Sequence, residues 1–169
     1  MPNIILTGFM GSGKSHLLPL LSKRLKCKAF DLDVLIEDYE RQSITDLISD
    51  SEAYFRKLEL HYCRHVINTN SDFVLALGGG AFCQPEIQTY ILSDPKNIVL
   101  YLSLSDEDFD QRMEKIKTQR PILQAFGSQY KTKAKALYEF RKKSYQKAHI
   151  QLDSSSSLDY VIQQIEALN

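Results

Sequence analysis

Eight residues near the start of the chain, Gly8-Phe9-Met10-Gly11-Ser12-Gly13-Lys14-Ser15, fit the pattern G-x-x-x-x-G-K-[ST]. Each fixed position has a physical job. Glycines let the backbone bring its N–H groups against phosphate oxygens, and a helix starting after Gly13 adds favourable partial charge there. In such a cradle Lys14 reaches the β- and γ-phosphates, while the Ser15 hydroxyl is a hard oxygen donor suited to Mg²⁺. A flexible turn is the bland alternative. The setting between a strand-like run and a helix-like run favours nucleotide binding, with Gly11, Ser12, Gly13, Lys14 and Ser15 as the contacting residues.

Kinases, nucleotide hydrolases and GTP-dependent switches all use such a loop, so the residues downstream must decide what receives the phosphate. Asp31-Leu32-Asp33 follows a second strand-like run, and alternation along an extended chain points the two carboxylates to different sides. One could serve a metal and one an acceptor, although Asp33 alone would also suit a helix N-cap. Arg56 and Glu59 are three apart on a predicted helix and therefore neighbours, which surface pairing would explain equally well. Gly78-Gly79-Gly80 comes directly after a third apolar run, at the sheet edge where open α/β folds bind ligands. A plain turn uses glycines too, but three of them there permit close approach. Arg120-Pro121 lies in a stretch without periodicity. Arg141 and Tyr145 fall four apart on a basic helix whose remaining charges read as a solvated face.

The elements that must hold these residues follow from hydrophobic period. Residues 3–7, 28–32, 73–77, 97–104 and 149–152 read as short strands, the first apolar enough to be buried on both faces. Helical spacing fills residues 14–26, 34–39, 52–68, 86–92, 106–116, 129–147 and 158–168. Strands alternating with helices imply an α/β fold with a parallel sheet. Residues 41–51 and 117–128 resist the pattern and are expected to be mobile insertions, the second an active-site lid. Pro19 is expected to kink the first helix.

The 169 residues suit one domain spanning residues 1–169. Lys and Arg number 21, as do Asp and Glu, so the chain lacks the positive field that non-specific binding to nucleic acid or anionic membrane requires. Three widely spaced cysteines, Cys27, Cys63 and Cys83, argue against a disulfide framework and against a zinc cluster. Met1-Pro2-Asn3 runs straight into a strand, and no apolar run approaches the ~20 residues of a membrane span, so the expected location is the cytoplasm.

Taken together, these motifs resemble the shikimate kinase family, of the nucleoside-monophosphate-kinase-like branch of phosphate-loop proteins. The family pattern places G-x-x-G-x-G-K-[ST] after the first strand, D-x-D after the second, F-R-x-x-E on a helix, G-G-G after the third strand, R-P in the lid and R-x-x-x-Y near the end. All six occur here in order. The resemblance implies a three-layer α/β/α fold with a five-stranded parallel sheet, a substrate-binding helical insertion at about residues 33–62 and a lid at about residues 114–128. It implies ATP-dependent phosphorylation of the shikimate 3-hydroxyl, a step toward chorismate and the aromatic amino acids, with Mg²⁺ as cofactor; a monomer is the default expectation, which the sequence does not decide. Asp33 would hold the acceptor hydroxyls, Asp31 and Ser15 the Mg²⁺ shell, and Arg56, Arg141 and Gly78, Gly79, Gly80 the ring and its carboxylate. Glu59 would steady Arg56, Arg120 would neutralise the transferring group beside Lys14, and Arg112 would cover the adenine.

Some positions depart from the family. His16 stands where a small hydroxyl residue usually follows Lys-Ser, altering one α-phosphate contact. Leu18-Pro19 replaces a Gly-x pair, Ser51 replaces a glycine before Glu52, and Lys142-Lys143-Ser144 replaces a proline-containing stretch. The segment from Arg112 to Arg120 is about one residue longer than is typical. A kinase for gluconate or a nucleoside monophosphate, and a non-catalytic nucleotide-binding module, are the rival readings. The first lacks a ring for the triple glycine or calls for a richer arginine lid, and the last has no use for Asp33, Arg56 and Arg141 together.

Overall fold

The five apolar runs form one parallel sheet in a computed structural model that describes residues 1–168. Its strands are β1 (Asn3–Thr7), β2 (Lys28–Asp31), β3 (Phe73–Ala76), β4 (Asn97–Ser103) and β5 (Ile150–Asp153), in the spatial order β2-β3-β1-β4-β5. Ile4 pairs with Val74 on one side and with Ile98 on the other. Side chains alternate along a strand, so Ile4 and Leu6 join one core with Val74, Leu100 and Leu152. Ile5 joins a second core with Leu75, Val99 and Tyr101. A sheet buried on both faces needs apolar residues at every position, which is why β1 and β3 read as unbroken runs.

Helices cover both faces and make three layers. On one face lie α1 (Lys14–Leu25) and α8 (Leu158–Glu166), which bury Leu18, Leu21, Val161, Ile162 and Ile165. The other face takes α2 (Leu32–Glu40), α3 (Ile44–Thr69), α4 (Pro85–Leu92), α5 (Asp106–Ile116), α6 (Pro121–Ala125) and α7 (Tyr130–Tyr145). Among the described residues no helix is long and apolar enough to cross a membrane, and Cys27, Cys63 and Cys83 are free.

Two segments expected to be irregular contain helix. Residues 44–50 form the first part of α3, started by Ser43, whose Oγ accepts from Asp46 N at 3.1 Å. Leu47 is the one residue of this stretch in the core, too thin a stripe to show as a period. Ser51 then interrupts the helix with φ −164° and ψ 108°, and its Oγ accepts from Tyr54 N at 3.2 Å, restarting the helix with a cap. That backbone is extended, so serine serves where a glycine is common. In the lid segment Pro121 opens α6, where its fixed φ suits a first turn, and a short 3₁₀ turn at Gly127–Gln129 leads into α7. Helix α1 continues through Pro19, although the Ser15 carbonyl loses the helical partner that the proline nitrogen cannot supply.

Beneath the glycine loop lies an aromatic stack. The Phe9 ring is 5.3 Å from that of Tyr138, which stacks on Phe109 at 5.4 Å. The Tyr138 hydroxyl is 3.0 Å from that of Tyr101 and accepts from Leu104 N at 3.2 Å. Replacing Tyr138 by Phe keeps the stack but strands two buried polar groups, so Tyr138→Phe is expected to cost about 1–3 kcal/mol of unfolding free energy. Urea denaturation measures this, and a midpoint equal to that of the unsubstituted chain contradicts it.

Candidate active site

The loop after β1 depends on backbone that side chains would obstruct. Gly8, Gly11 and Gly13 have φ of 144°, 78° and 93°, and a Cβ on Gly8 would lie 2.6 Å from the Leu102 carbonyl oxygen. Lys14 Nζ donates to the carbonyl oxygens of Gly8 at 2.7 Å and Phe9 at 3.0 Å, which holds the ammonium at the mouth of the loop. Burial lowers the Lys14 pKa to about 8, against the pull of the Asp33 carboxylate. Ser15 Oγ donates to Asp31 Oδ2 at 3.3 Å.

The two aspartates divide their work differently from the N-cap alternative read from the sequence. Asp31, not Asp33, caps α2: its Oδ1 accepts from Asp33 N at 3.1 Å. Asp33 sits within the first turn, because α2 starts at Leu32 rather than after Asp33. Its Oδ1 is buried without a hydrogen-bond partner among the described residues, next to Gly78. Burial, with help from Asp31, raises the Asp33 pKa, while Lys14 and Arg120 pull it back.

Around the triple glycine four charged side chains converge. Arg56 Nη1 donates to Glu59 Oε2 at 2.7 Å and Arg56 Nη2 to Glu52 Oε1 at 2.9 Å. Gln84 Nε2 donates to the same Glu59 oxygen at 2.6 Å. Burial drives Glu59 up to about 7, opposed by the Arg56 charge. Arg141 Nη1 and the Tyr145 hydroxyl both donate to the Gly79 carbonyl, the former at 3.2 Å. A Cβ on Gly80 would meet Arg56 Nη1 at 3.0 Å and Arg141 Nη2 at 3.2 Å, so the two guanidinium groups converge on one point. A Cβ on Gly78 would meet Asp33 Oδ1 at 2.6 Å.

These groups line three connected cavities along the carboxyl edge of the sheet. One of about 430 Å³ holds Arg56, Arg141 and the glycines, with Asp33, Met10, Gly79 and Arg120 at its inner end. The same four residues also bound a cavity of about 200 Å³ beside Lys14, Ser15 and Asp31. Gly13 and His16 lead from there to a third, of about 360 Å³, which Arg112 and Ser154 enter. Arg112 Nη1 donates to the Gly11 carbonyl at 2.9 Å and Nη2 to Ser154 Oγ at 3.3 Å, so it is tied to the loop at the cavity wall. The structure therefore brings together every residue singled out from the sequence: Gly11 to His16, Asp31, Asp33, Arg56, Gly78 to Gly80, Arg112, Arg120 and Arg141. Sequence reasoning missed Gln84, which lies 25 positions from Glu59 with no periodicity linking them. It also passed over Glu52 as a partner of Arg56, although the i,i+4 spacing was a usable signal.

The chain is also similar to known proteins over most of its length. The profile of the family described as shikimate kinase matches residues 10–168. A shikimate kinase of Flavobacterium psychrophilum is 31% identical over 165 residues, covering 95% of both chains. Another, from Geobacillus kaustophilus, is 37% identical over 123 residues, covering 72% of this chain and 64% of that one. Among solved structures, a shikimate kinase from Acinetobacter baumannii in complex with shikimate superposes with a TM-score of 0.87 at 27% identity, covering 99% of this chain and 94% of that one. A deoxyadenosine kinase from M. mycoides, 17% identical with a TM-score of 0.57 and covering 99% of this chain and 98% of that one, shares the fold.

The elevated Glu59 pKa has a measurable consequence. Its ordinary value is 4.5 and its folded value about 7, so between these pH values the folded chain holds a proton that the unfolded chain has released. Stability from this group is therefore complete below pH 4.5 and declines as pH rises through about 7. Glu59→Gln is expected to flatten that decline. Urea midpoints of both proteins across this range test it, and parallel curves would refute it.

Proposed function

This chain belongs to the shikimate kinase family, and we propose that its three cavities carry out in-line transfer of the ATP γ-phosphoryl group to the 3-hydroxyl of shikimate. The observation that carries this reading is the convergence of Arg56 and Arg141 at Gly80, in a chamber that opens past Asp33 toward Lys14. Two guanidinium forks suit a planar carboxylate, and the glycines leave room for a ring to lie close to the backbone. The Asp33 carboxyl group then stands at the inner end of the same chamber. The reaction serves aromatic amino-acid biosynthesis.

The residues then take distinct roles. Asp33, which borders both cavities, accepts the hydrogen of the reacting hydroxyl through its carboxylate, orienting an oxygen lone pair toward the phosphate side. The hydroxyl oxygen bonds to the γ-phosphorus as the bond to the bridging oxygen breaks, its proton passing to the Asp33 carboxylate and then to solvent, leaving ADP and the 3-phosphate. Lys14 and Arg120 neutralise charge on the transferring group, and the loop backbone holds the remaining phosphates. His16 and Arg112 border the nucleoside end, where Arg112 lies between the loop and Ser154. Ser15 and Asp31 present two oxygen ligands held together at 3.3 Å that would suit Mg²⁺, which would supply further neutralisation of the phosphate charge when bound. Closure of the segment at about residues 114–128 excludes water that would otherwise take the phosphoryl group.

ADP release should depend on shikimate and not on gluconate, and should vanish in Lys14→Ala. Shikimate-independent hydrolysis as the main activity would contradict the assignment. Arg56→Ala and Arg141→Ala are each expected to raise the shikimate KM by about tenfold or more, the worth of a charge-assisted hydrogen bond, while the ATP KM changes less than about twofold. Equal losses for both substrates would count against the chamber assignment.

A further inference from the structure

Arg56 carries two carboxylates of very different character. Glu59 on Nη1 is 1% exposed and is held from the far side by Gln84, so that bond is part of the scaffold. Glu52 on Nη2 is 65% exposed, lines the acceptor chamber, and has no other ionic partner among the described residues. Arg141 across the chamber pairs with no carboxylate among the described residues and spends Nη1 on the Gly79 carbonyl. One of the two guanidinium groups facing the acceptor is thus already covered on its outer nitrogen, and the other is open.

The position of Glu52 follows from the local chain. Ser51 breaks α3 and restarts it, which makes Glu52 the first residue of the second part and sets it one turn before Arg56. An exposed pair of this spacing is weak and readily exchanged. The extended backbone at Ser51 also lets Glu52 project into the chamber rather than continue the first part's surface.

We infer that Glu52 is a built-in rival for the acceptor's carboxylate, occupying Arg56 Nη2 until the acceptor displaces it and returning as the product leaves. This rests on the acceptor assigned above. Binding is then an exchange of one carboxylate for another, so Glu52 weakens affinity. Its charge opposes the phosphorylated product more than the substrate, because the product carries the added phosphoryl group. A residue that merely steered Arg56 would have the opposite effect on affinity when removed.

Glu52→Gln keeps the size and an acceptor oxygen but removes the charge. Calorimetric binding of shikimate, shikimate methyl ester and shikimate 3-phosphate to wild type and variant separates the possibilities. The variant is expected to bind the free acid about threefold more tightly, the scale of an exposed ion pair, and the 3-phosphate by a larger factor. The ester, which lacks the competing charge, should bind both proteins equally. In turnover the shikimate KM falls while the ATP KM holds, and Glu52→Ala follows in the same direction. Unchanged or weakened binding of the acid by the variant, or equal tightening of acid and ester, overturns the inference. Failure of wild type to bind the acid at all instead overturns the acceptor assignment, and this inference with it.

Discussion

Four charged side chains reach the site only because residues 78–80 present none of their own. Asp33 and Glu59 press against Gly78 and the two arginines against Gly80, at distances where a single added carbon would force one of them away. The strip follows β3 directly, so its position is fixed by pairing with β1 and β2 rather than by the side chains that use it. Rigid backbone with no side-chain bulk lets opposite charges be placed first and a ligand fitted among them. The cost is a carboxylate at Glu59 removed from water, which an unpaired charge could not sustain. Arg56 and Gln84 offset it with two short hydrogen bonds on one oxygen.

The phosphate cradle and the acceptor chamber form one electrostatic unit. Burial pulls Lys14 down to about 8 and raises Asp33, so each by itself would drift toward neutrality. Each also restores part of the other's charge. Arg120 and Arg141 act on Lys14 in the opposite sense to Asp33 and Asp31. Lys14 and Arg120 border the small cavity and Arg141 the larger one beside it, so a polyanion at the glycine loop would meet the field of all three cations. The charges that line the two cavities thus act on one another across Asp33 and Lys14.

Much of this was legible in the sequence, and the reason differs by element. β1, β3 and β4 announced themselves because burial on both faces favours apolar runs, whereas the edge strands β2 and β5 carry exposed positions and read more weakly. The glycine loop was evident because its chemistry tolerates few substitutions at Gly8, Gly13 and Lys14. Residues 44–50 were hidden because a helix that buries only Leu47 leaves almost no period to read. Asp31 and Asp33 could not be told apart as cap and ligand, since either carboxylate suits either task and only the starting point of α2 decides. Gln84 was invisible for a simpler reason: its partner is distant in the chain and close only after the sheet has formed.

One helix ties these parts to residues 121–129. Tyr138, Arg141 and Tyr145 lie three and four positions apart on α7, hence on one face. The first packs on Phe9 of the phosphate loop, the second reaches Gly80, and the third donates to the Gly79 carbonyl. The Arg141 guanidinium also lies 6.0 Å from the Phe9 ring. A proline-containing stretch between Arg141 and Tyr145 would remove a backbone donor from this turn. Lys142-Lys143-Ser144 lets α7 run unbroken to Tyr145 and close with Gln146 N on the Lys142 carbonyl at 2.9 Å. Because α7 begins at Tyr130, directly after the 3₁₀ turn at Gly127–Gln129, the helix that follows residues 121–129 also carries Arg141. Any displacement of that segment that turned this helix would therefore shift Arg141 against Gly80 and Tyr138 against the phosphate loop together.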